Sequence, residues 1–325
     1  MKTISKILKL VILTMTVILV SCSNDDKAAS NNSNNLGGGD LKLFAIDTAK
    51  VNTLSMSGLN EKTVLNRYIN SNSFISDFSI SADGAKFVYV ENQYEGIFPN
   101  NVSTVKLKIA KADGSGDSVL FTSPNADTKI QAIRFCGDGK IFFSLSTQFP
   151  NQTNVLHLIN ADGTGDTVIS GGYDVVNISN DRKYLLLSSF NSPTLNATVI
   201  DKTLDGGAGG QYHSEGFTSD QEFNDGVFSN DGKLLVIPFK EGNDIKIRIV
   251  DMVTKTATNQ TIVSGFAGNW VYFKVNMASD SNRGVLTVSG DGYSKSKSFV
   301  FNIKDKTVST PFQNNDEDVS KVYAY

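Results

Sequence analysis

The chain has 325 residues, 40% of them hydrophobic and 10% aromatic, which suffices for a large folded domain with a substantial core. Its 30 Lys and Arg residues nearly balance 33 Asp and Glu residues, for a net charge of -3 at pH 7. This balance argues against nucleic acid as a partner, because nucleic-acid-binding proteins need a basic surface. The 20 Phe and 10 Tyr residues favour a β-rich domain.

The first residues have the organisation of an export signal. Lys2, Lys6 and Lys9 form a basic start, and an uninterrupted apolar run follows over residues 10–20. That run is shorter than the roughly 20 apolar residues that a membrane-spanning helix needs. The sequence therefore predicts a signal peptide over residues 1–21.

The residues LVSC at 19–22 resemble the lipobox of bacterial lipoproteins. The resemblance implies that Cys22 is acylated and anchors the mature protein to a membrane; a plain secretory signal with an incidental cysteine is the alternative. Asp25 and Asp26 resemble the surface-export signal of Bacteroidetes lipoproteins, which implies an outer-membrane lipoprotein at the cell surface rather than on the periplasmic face. The polar residues up to 39 predict a flexible tether over 22–39.

The rest of the sequence repeats one pattern, in which a short apolar strand, a polar turn with an Asp and a more apolar strand follow one another. The five copies are FSISADGAKFVYVEN (78–92), IRFCGDGKIFFSLST (133–147), VNISNDRKYLLLSSF (176–190), VFSNDGKLLVIPFK (227–240) and VNMASDSNRGVLTVSG (275–290). Their aspartates are Asp83, Asp138, Asp181, Asp231 and Asp280, separated by 55, 43, 50 and 49 residues. A period near 50 with several short strands is typical of a β-propeller.

Each pair of strands is followed by an alternating third strand, such as DIKIRIVD (244–251), and by a short fourth strand, such as DTVIS (166–170). Residues 41–66 supply three strands of a further unit, and VSKVYAY (319–325) supplies its missing inner strand. We therefore predict an all-β, six-bladed β-propeller over residues 40–325, with four antiparallel strands per blade and a ring closed by the C-terminal strand. Seven blades are the alternative.

The stretches ISADGAKFVYV and FSNDGKLLVIPF resemble the repeat of TolB-type (WD-repeat-like) β-propellers, and the resemblance implies the fold but no particular function. The sequence departs from that repeat at Arg182, where glycine is usual, and at SDSNRG in the last copy. Pro238 lies inside an apparent strand, where a residue without an N–H predicts a bulge or an edge position.

Two further copies of a motif, ADGSGD at 112–117 and ADGTGD at 161–166, could hold a cation or could form turns. The two copies are 49 residues apart, which is the blade period, and each falls between a third and a fourth strand. We therefore predict tight hairpins in which glycine supplies the positive φ.

The longer loops of a propeller share one end of the channel, and here they carry most of the loop aromatics. We predict a ligand-binding surface there, while individual members could instead pack between blades: Tyr94, Phe98, Phe149, Tyr173, Tyr212, His213, Phe217, Phe266, Trp270 and Tyr293. The longest of these predicted loops covers residues 205–223.

Catalytic signals are sparse. Cys136 and His157 lie on apolar strands and are interpreted as structural, and His213 with Glu215 could begin a metal site but lacks further ligands. No hydrolase, kinase, phosphate-loop or metalloprotease motif occurs, so no cofactor or metal is expected.

The first functional hypothesis is a non-catalytic binding or scaffold module for a protein, peptide or glycan. The alternatives are a polysaccharide-degrading enzyme, either a lyase or a glycosidase, and a TolB-like periplasmic partner protein.

Overall fold

The computed structural model describes most of the protein after residue 40, in the ranges 41–47, 49–54, 60–67, 73–95, 102–124, 128–147, 154–171, 175–187, 194–200, 208–218, 221–223, 226–268, 271–290, 296–309, 311 and 321–324. The protein divides into two units, residues 1–38 and Gly39–Tyr325, and all described residues belong to the second. The expected signal peptide, Cys22 and the tether lie outside the described residues. Within the described ranges, no helix has the length and apolar character needed to cross a membrane.

The described residues form 25 strands in six antiparallel sheets. Sheet 1 contains, from its inner to its outer strand, β25 (Lys321–Ala324), β1 (Leu43–Asp47), β2 (Lys50–Leu54) and β3 (Asn60–Asn66). Sheet 2 contains β4 (Ser73–Ile80), β5 (Lys86–Glu95), β6 (Val102–Lys111) and β7 (Ser118–Thr122). Sheet 3 contains β8 (Thr128–Phe135), β9 (Lys140–Thr147), β10 (Asn154–Asn160) and β11 (Thr167–Gly171).

The other three sheets follow in the same order. Sheet 4 contains β12 (Val175–Ile178), β13 (Tyr184–Leu187), β14 (Thr194–Ile200) and β15 (Ala208–Gly216). Sheet 5 contains β16 (Gln221–Phe223) and β17 (Val227–Phe228), then β18 (Leu234–Glu241), β19 (Asp244–Asp251) and β20 (Ala257–Val263). Sheet 6 contains β21 (Val271–Met277), β22 (Arg283–Gly290), β23 (Lys297–Asn302) and β24 (Thr307–Val308).

The inner strands of the six sheets form a ring. Successive inner strands are in contact from β4 through β8, β12, β17 and β21 to β25. The ring of Tyr323 on β25 then packs on that of Phe78 on β4, with centroids 4.9 Å apart. Because β25 also pairs with β1, with Ala324 opposite Leu43, the predicted all-β propeller closed by its C-terminal strand is confirmed.

The hydrophobic core lies between successive sheets and follows from the alternation of the strands. In β19, Ile245, Ile247 and Ile249 are buried, and they pack with Phe273 and other apolar residues of sheet 6. Similar clusters join sheets 1 and 2, sheets 2 and 3, sheets 3 and 4, and sheets 4 and 5. Sheets 2 to 5 therefore bury both of their faces, and the inner edge of each sheet is turned to the axis of the ring.

Sheet 5 has five described strands because its inner position is occupied by two short segments, β16 and β17. Phe223 of β16 pairs with Phe239, and Val227 of β17 pairs with Val236, so the gap between β16 and β17 lies opposite residues 237–238 of β18. Pro238 cannot donate a backbone hydrogen bond there. The predicted bulge at Pro238 is absent from the pairing with β19, where β18 runs in regular register. On its other side Pro238 has no register partner among the described residues of β16 and β17, in agreement with the predicted edge position.

The repeated Asp turns are hairpins, and in three of the five copies a serine stabilises the turn. The hydroxyls of Ser81, Ser179 and Ser229 each donate to the carboxylate two residues later, at 2.6, 2.7 and 2.7 Å. Arg182 adopts a φ of 60°, close to that of the glycines in three other copies and equal to that of Ser281 in the last copy, so its departure from the repeat keeps the same turn. The Arg182 guanidinium also pairs with Asp138 of the neighbouring sheet at 2.7 Å.

Replacing Ser81 by alanine is expected to raise the pKa of Asp83 toward its ordinary value of 3.8. The Ser81 hydroxyl and then the Ala85 N–H lower that pKa in the folded protein by hydrogen bonding to the carboxylate. A depressed carboxyl pKa contributes stability above the unfolded pKa, and the contribution is lost as pH falls through the folded pKa. Carbon-13 titration of the carboxyl groups measures the change, and Asp113, in another turn, should titrate as before. An unchanged Asp83 pKa would contradict the role of Ser81.

The ADGSGD and ADGTGD motifs form the predicted hairpins, between β6 and β7 and between β10 and β11. The first aspartates accept hydrogen bonds within the turn: Asp113 from the N–H of Ser115 and Asp162 from that of Thr164, both at 2.9 Å. The second aspartates contact basic side chains of the protein itself. Asp117 lies 2.8 Å from the Lys108 ammonium, and turn chemistry thus accounts for the motif.

The corresponding Asp166 contacts His157. The Asp166 carboxylate lies 2.9 Å from Nδ1 of His157, whose ring stacks on Phe143 with centroids 4.9 Å apart. His157 is buried on β10, so its interpretation as a structural residue agrees with its surroundings. Cys136, directly after β8, is also buried, and burial raises the pKa of its thiol to about 12.

Candidate functional site

The two ends of the ring differ in their connections. The hairpins between first and second strands and between third and fourth strands meet at one end, which we call the turn end. The connections between second and third strands and between sheets meet at the other end, which we call the loop end. The inner strands therefore begin at the loop end and finish at the turn end.

Half of the residues predicted for the aromatic surface of the loop end lie outside the described residues: Phe98, Phe149, Tyr173, Trp270 and Tyr293. Tyr94 is described at the end of β5, where its ring stacks on Phe74 at the start of β4, with centroids 5.8 Å apart. The stacked pair is at the loop end, as predicted for Tyr94. Ligand binding by these residues stays a prediction.

The predicted loop over residues 205–223 is wrong. Residues 208–216 form β15, which pairs with β14 through contacts such as Leu195 with Glu215, and residues 221–223 form β16. Because β15 is the outermost strand of sheet 4, Tyr212 and His213 lie at the periphery of the ring and not at the mouth of its channel. The glycine-rich, polar sequence suggested a loop because an outer strand does not need the apolar alternation of an inner one.

Two other aromatics assigned to the loop end belong to the core. Phe217 is 5% exposed and stacks on Phe223 with ring centroids 4.2 Å apart. Phe266 is 2% exposed within the cluster between sheets 5 and 6. For these two residues the alternative interpretation, packing between sheets, is correct.

His213 belongs to a polar cluster between sheets 4 and 5. Its Nε2 lies 2.6 Å from the Glu215 carboxylate, which in turn pairs with Arg248 of β19 at 3.2 Å. The Arg248 guanidinium also lies over the Phe217 ring, 4.5 Å from its centroid. In the described part of the protein no group of three or more His, Cys, Asp or Glu residues could hold a metal ion. The Glu215–Arg248 contact thus joins sheets 4 and 5, and His213 belongs to the cluster through its own contact with Glu215.

Tyr272 is an exposed aromatic at the loop end that the sequence analysis missed. It is the second residue of β21, and 47% of its surface is exposed. The signal is the alternation of β21, in which Phe273, Val275 and Met277 are buried and the residues between them are more exposed. Tyr272 thus faces away from the core on an inner strand, next to the mouth of the channel.

Carboxylates at the loop end of sheet 5 are engaged by lysines. Glu222 lies 3.4 Å from the Lys240 ammonium, and Glu241 lies 2.6 Å from that of Lys246. Glu241 also accepts a hydrogen bond from the Gln221 amide at 2.6 Å. Each of these glutamates thus has a lysine as its ion-pair partner, as is common for exposed charged residues near strand ends.

No family model matches the sequence, and no curated protein matches it. Several solved structures match the fold of the protein. TolB from Acinetobacter baumannii is 13% identical, with a TM-score of 0.59 over 87% of this protein and 66% of the TolB structure, slightly under two thirds. A structure of the nidogen/laminin complex contains a protein 10% identical, with a TM-score of 0.57 over 88% of this protein and 98% of that one.

An oligogalacturonate lyase in complex with manganese is 16% identical, with a TM-score of 0.51 over 80% of this protein and 73% of the lyase. At these identities the matches concern the fold alone. The protein is an all-β propeller with distant structural similarity to TolB-like propellers.

Proposed function

We propose that the protein is a six-bladed propeller that acts as a non-catalytic binding or scaffold module for a macromolecule, held at the outer membrane by lipid on Cys22. The blade count takes sheet 5, with its divided inner strand, as one blade. The ligand is a protein, peptide or glycan, and the binding surface is the loop end. The acidic pair after Cys22 supports display at the cell surface, as in Bacteroidetes lipoproteins.

The observation that carries this proposal is the half-exposed ring of Tyr272 on an inner strand at the loop end. The stacked pair of Phe74 and Tyr94 lies at the same end, on a second inner strand and its neighbour. Exposed aromatic rings beside polar groups are typical of surfaces that bind peptides and sugars, because each ring supplies apolar area and a polar edge. The pairing of Glu222 and Glu241 with lysines at the same end supports binding over acid–base catalysis by these two groups.

Replacing Tyr272 by alanine is expected to weaken ligand binding by about tenfold, the loss of one aromatic contact worth roughly 1.4 kcal/mol. The full-length protein is first screened on peptide and glycan arrays, and the affinity for each hit is then measured by calorimetry for both forms. Val253→Ala is the matched control, since Val253 is 72% exposed but lies in a hairpin at the turn end.

Equal affinities of the Tyr272→Ala and unaltered proteins would contradict binding at the loop end. Cleavage of any polysaccharide on the array would instead favour the lyase or glycosidase alternative. Protease added to intact cells tests surface display, and a protein that stays intact would place the propeller on the periplasmic side.

A further inference from the structure

Arg134 reaches across the channel. It lies near the end of β8, the inner strand of sheet 3, and its guanidinium donates to the carbonyl oxygen of Phe228 on β17 at 3.2 Å. Sheet 3 and sheet 5 are not neighbours, because β12 of sheet 4 lies between their inner strands. The side chain must therefore pass in front of β12, inside the ring.

The other polar residues at the same level reach only the adjacent sheet. Each stands two residues before its hairpin. Ser79 accepts the N–H of Phe135 at 3.0 Å, Asn177 accepts the N–H of Phe228 at 3.4 Å, and the Asn276 amide donates to the carbonyl of Val322 at 2.9 Å. Arg134 occupies the equivalent position of sheet 3, so its longer reach is a departure from a pattern that otherwise joins neighbouring inner strands.

Arg134 also differs from the other arginines in its ion pairing. The sequence has five arginines, and four of them pair with a carboxylate: Arg67, Arg182, Arg248 and Arg283. Among the described residues, no carboxylate lies within ion-pair distance of Arg134.

The acidic residue on the neighbouring inner strand is already engaged. Asp77 accepts the N–H of Phe78 at 2.9 Å and that of Ile133 at 3.2 Å.

The guanidinium has five N–H donors, and the Phe228 carbonyl takes one of them. Burial lowers the pKa of Arg134, although the side chain keeps partial exposure, as expected for a group in a channel. A charged group surrounded by protein without a counter-charge is costly, and an anion that enters the channel would offset this cost.

We propose that the channel binds a ligand carboxylate, held by the guanidinium of Arg134 and the side-chain amide of Asn177. Arg134 and Asn177 both contact the backbone of Phe228, so their side chains converge on one residue. The planar fork of an arginine matches the two oxygens of a carboxylate, and Asn177, which accepts with Oδ1, has a free donor in Nδ2 among the described contacts.

The ligand group would reach Arg134 from the turn end. Arg134 is two residues from the hairpin after β8 and six residues from the first residue of that strand. At about 3.3 Å per residue, these separations are roughly 7 Å and 20 Å. The site is thus distinct from the aromatic surface of the loop end, and the two can be tested independently.

Nitrogen-15 NMR of the arginine side chains of the full-length protein tests this site, because five arginines give a simple spectrum. Sodium acetate is the probe, and sodium chloride is the control for ionic strength. We expect the Nε–H signal of Arg134 alone to shift and to saturate, with a dissociation constant below about 10 mM. Arg134→Lys assigns the signal, and Arg248→Lys, at a paired arginine, leaves the shift unchanged.

A second variant tests the site while Arg134, whose Nε–H signal reports binding, stays in place. Asn177→Ala should weaken acetate binding by about threefold to tenfold while the Arg134 signal remains observable. Two pairs of probes then distinguish the source of the carboxylate: a tripeptide with a free C-terminus against its C-terminal amide, and galacturonic acid against galactose. Shifts that fail to saturate, or that affect all five arginines equally, or that chloride reproduces, would overturn the proposal.

Discussion

Replacement of Gly114 by alanine should lower the free energy of unfolding by about 3 kcal/mol or more. Gly114 is in the ADGSGD hairpin at a φ of +82°, a conformation that costs an alanine about 1–2 kcal/mol. In addition, a Cβ at this position would lie 1.7 Å from the carbonyl oxygen of Val64 on β3. That contact joins sheets 1 and 2, so the two sheets would have to move apart, and overpacking of this kind costs about 1–3 kcal/mol.

Gly139 provides a control with the same backbone conformation. Its φ is +79°, and a Cβ there would have no atom within 4 Å. Gly139→Ala should therefore cost only the conformational part, about 1–2 kcal/mol. Urea denaturation of both variants measures the difference. Equal losses would mean that the approach of Val64 to the hairpin contributes nothing to stability.

Replacement of Lys108 by methionine should cost about 3 kcal/mol, because it breaks a buried ion cluster. The cluster consists of Arg67, Tyr89, Glu91, Lys108 and Asp117. The Lys108 ammonium lies 2.8 Å from Asp117 and 3.7 Å from Glu91, and its side chain is 5% exposed. Without Lys108, two carboxylates share the single charge of Arg67.

Lys246→Met is the control, since Lys246 also lies on the third strand of its sheet but pairs with an exposed carboxylate. It should cost less than about 1 kcal/mol. The double variant Lys108→Met/Glu91→Leu removes one charge of each sign and leaves Arg67 paired with Asp117. Its loss should be at least about 1 kcal/mol smaller than the sum of the two single losses, and strict additivity would contradict a coupled cluster.

The regular parts of the fold could be predicted because they repeat. The hairpin aspartates at intervals near 50 residues predicted the order of the strands. In three of the five copies a serine two residues earlier forms the same hydrogen bond with the aspartate, which accounts for that part of the pattern. The closing strand could be predicted from a residue run at 319–325 that had no sheet of its own. A sequence repeat of this kind can be recognised without knowing which distant residues are in contact.

The candidate sites were harder to predict because the burial and contacts of their residues depend on which sheets pack against each other. Phe217 and Phe266 stand in polar segments, and only the packing of sheets 4, 5 and 6 shows that they are buried. Arg134 alternates with buried Ile133 and Phe135, so the sequence could have indicated that its side chain points away from the hydrophobic core. The hydrogen bond from Arg134 to the carbonyl of Phe228, 94 residues later, could not be predicted from the sequence.

The pairing of β25 with β1 has a mechanical consequence. The backbone reaches β1 directly from residue 42, and β1 lies between β25 and β2, with register contacts along both sides. A pull on the N-terminal segment along the strand therefore loads two rows of hydrogen bonds in shear at once, whereas an edge strand would be peeled away bond by bond. A propeller pulled through its first residues thus carries the load on a central strand, and residues 321–324 supply four of the nine register pairs that resist the pull.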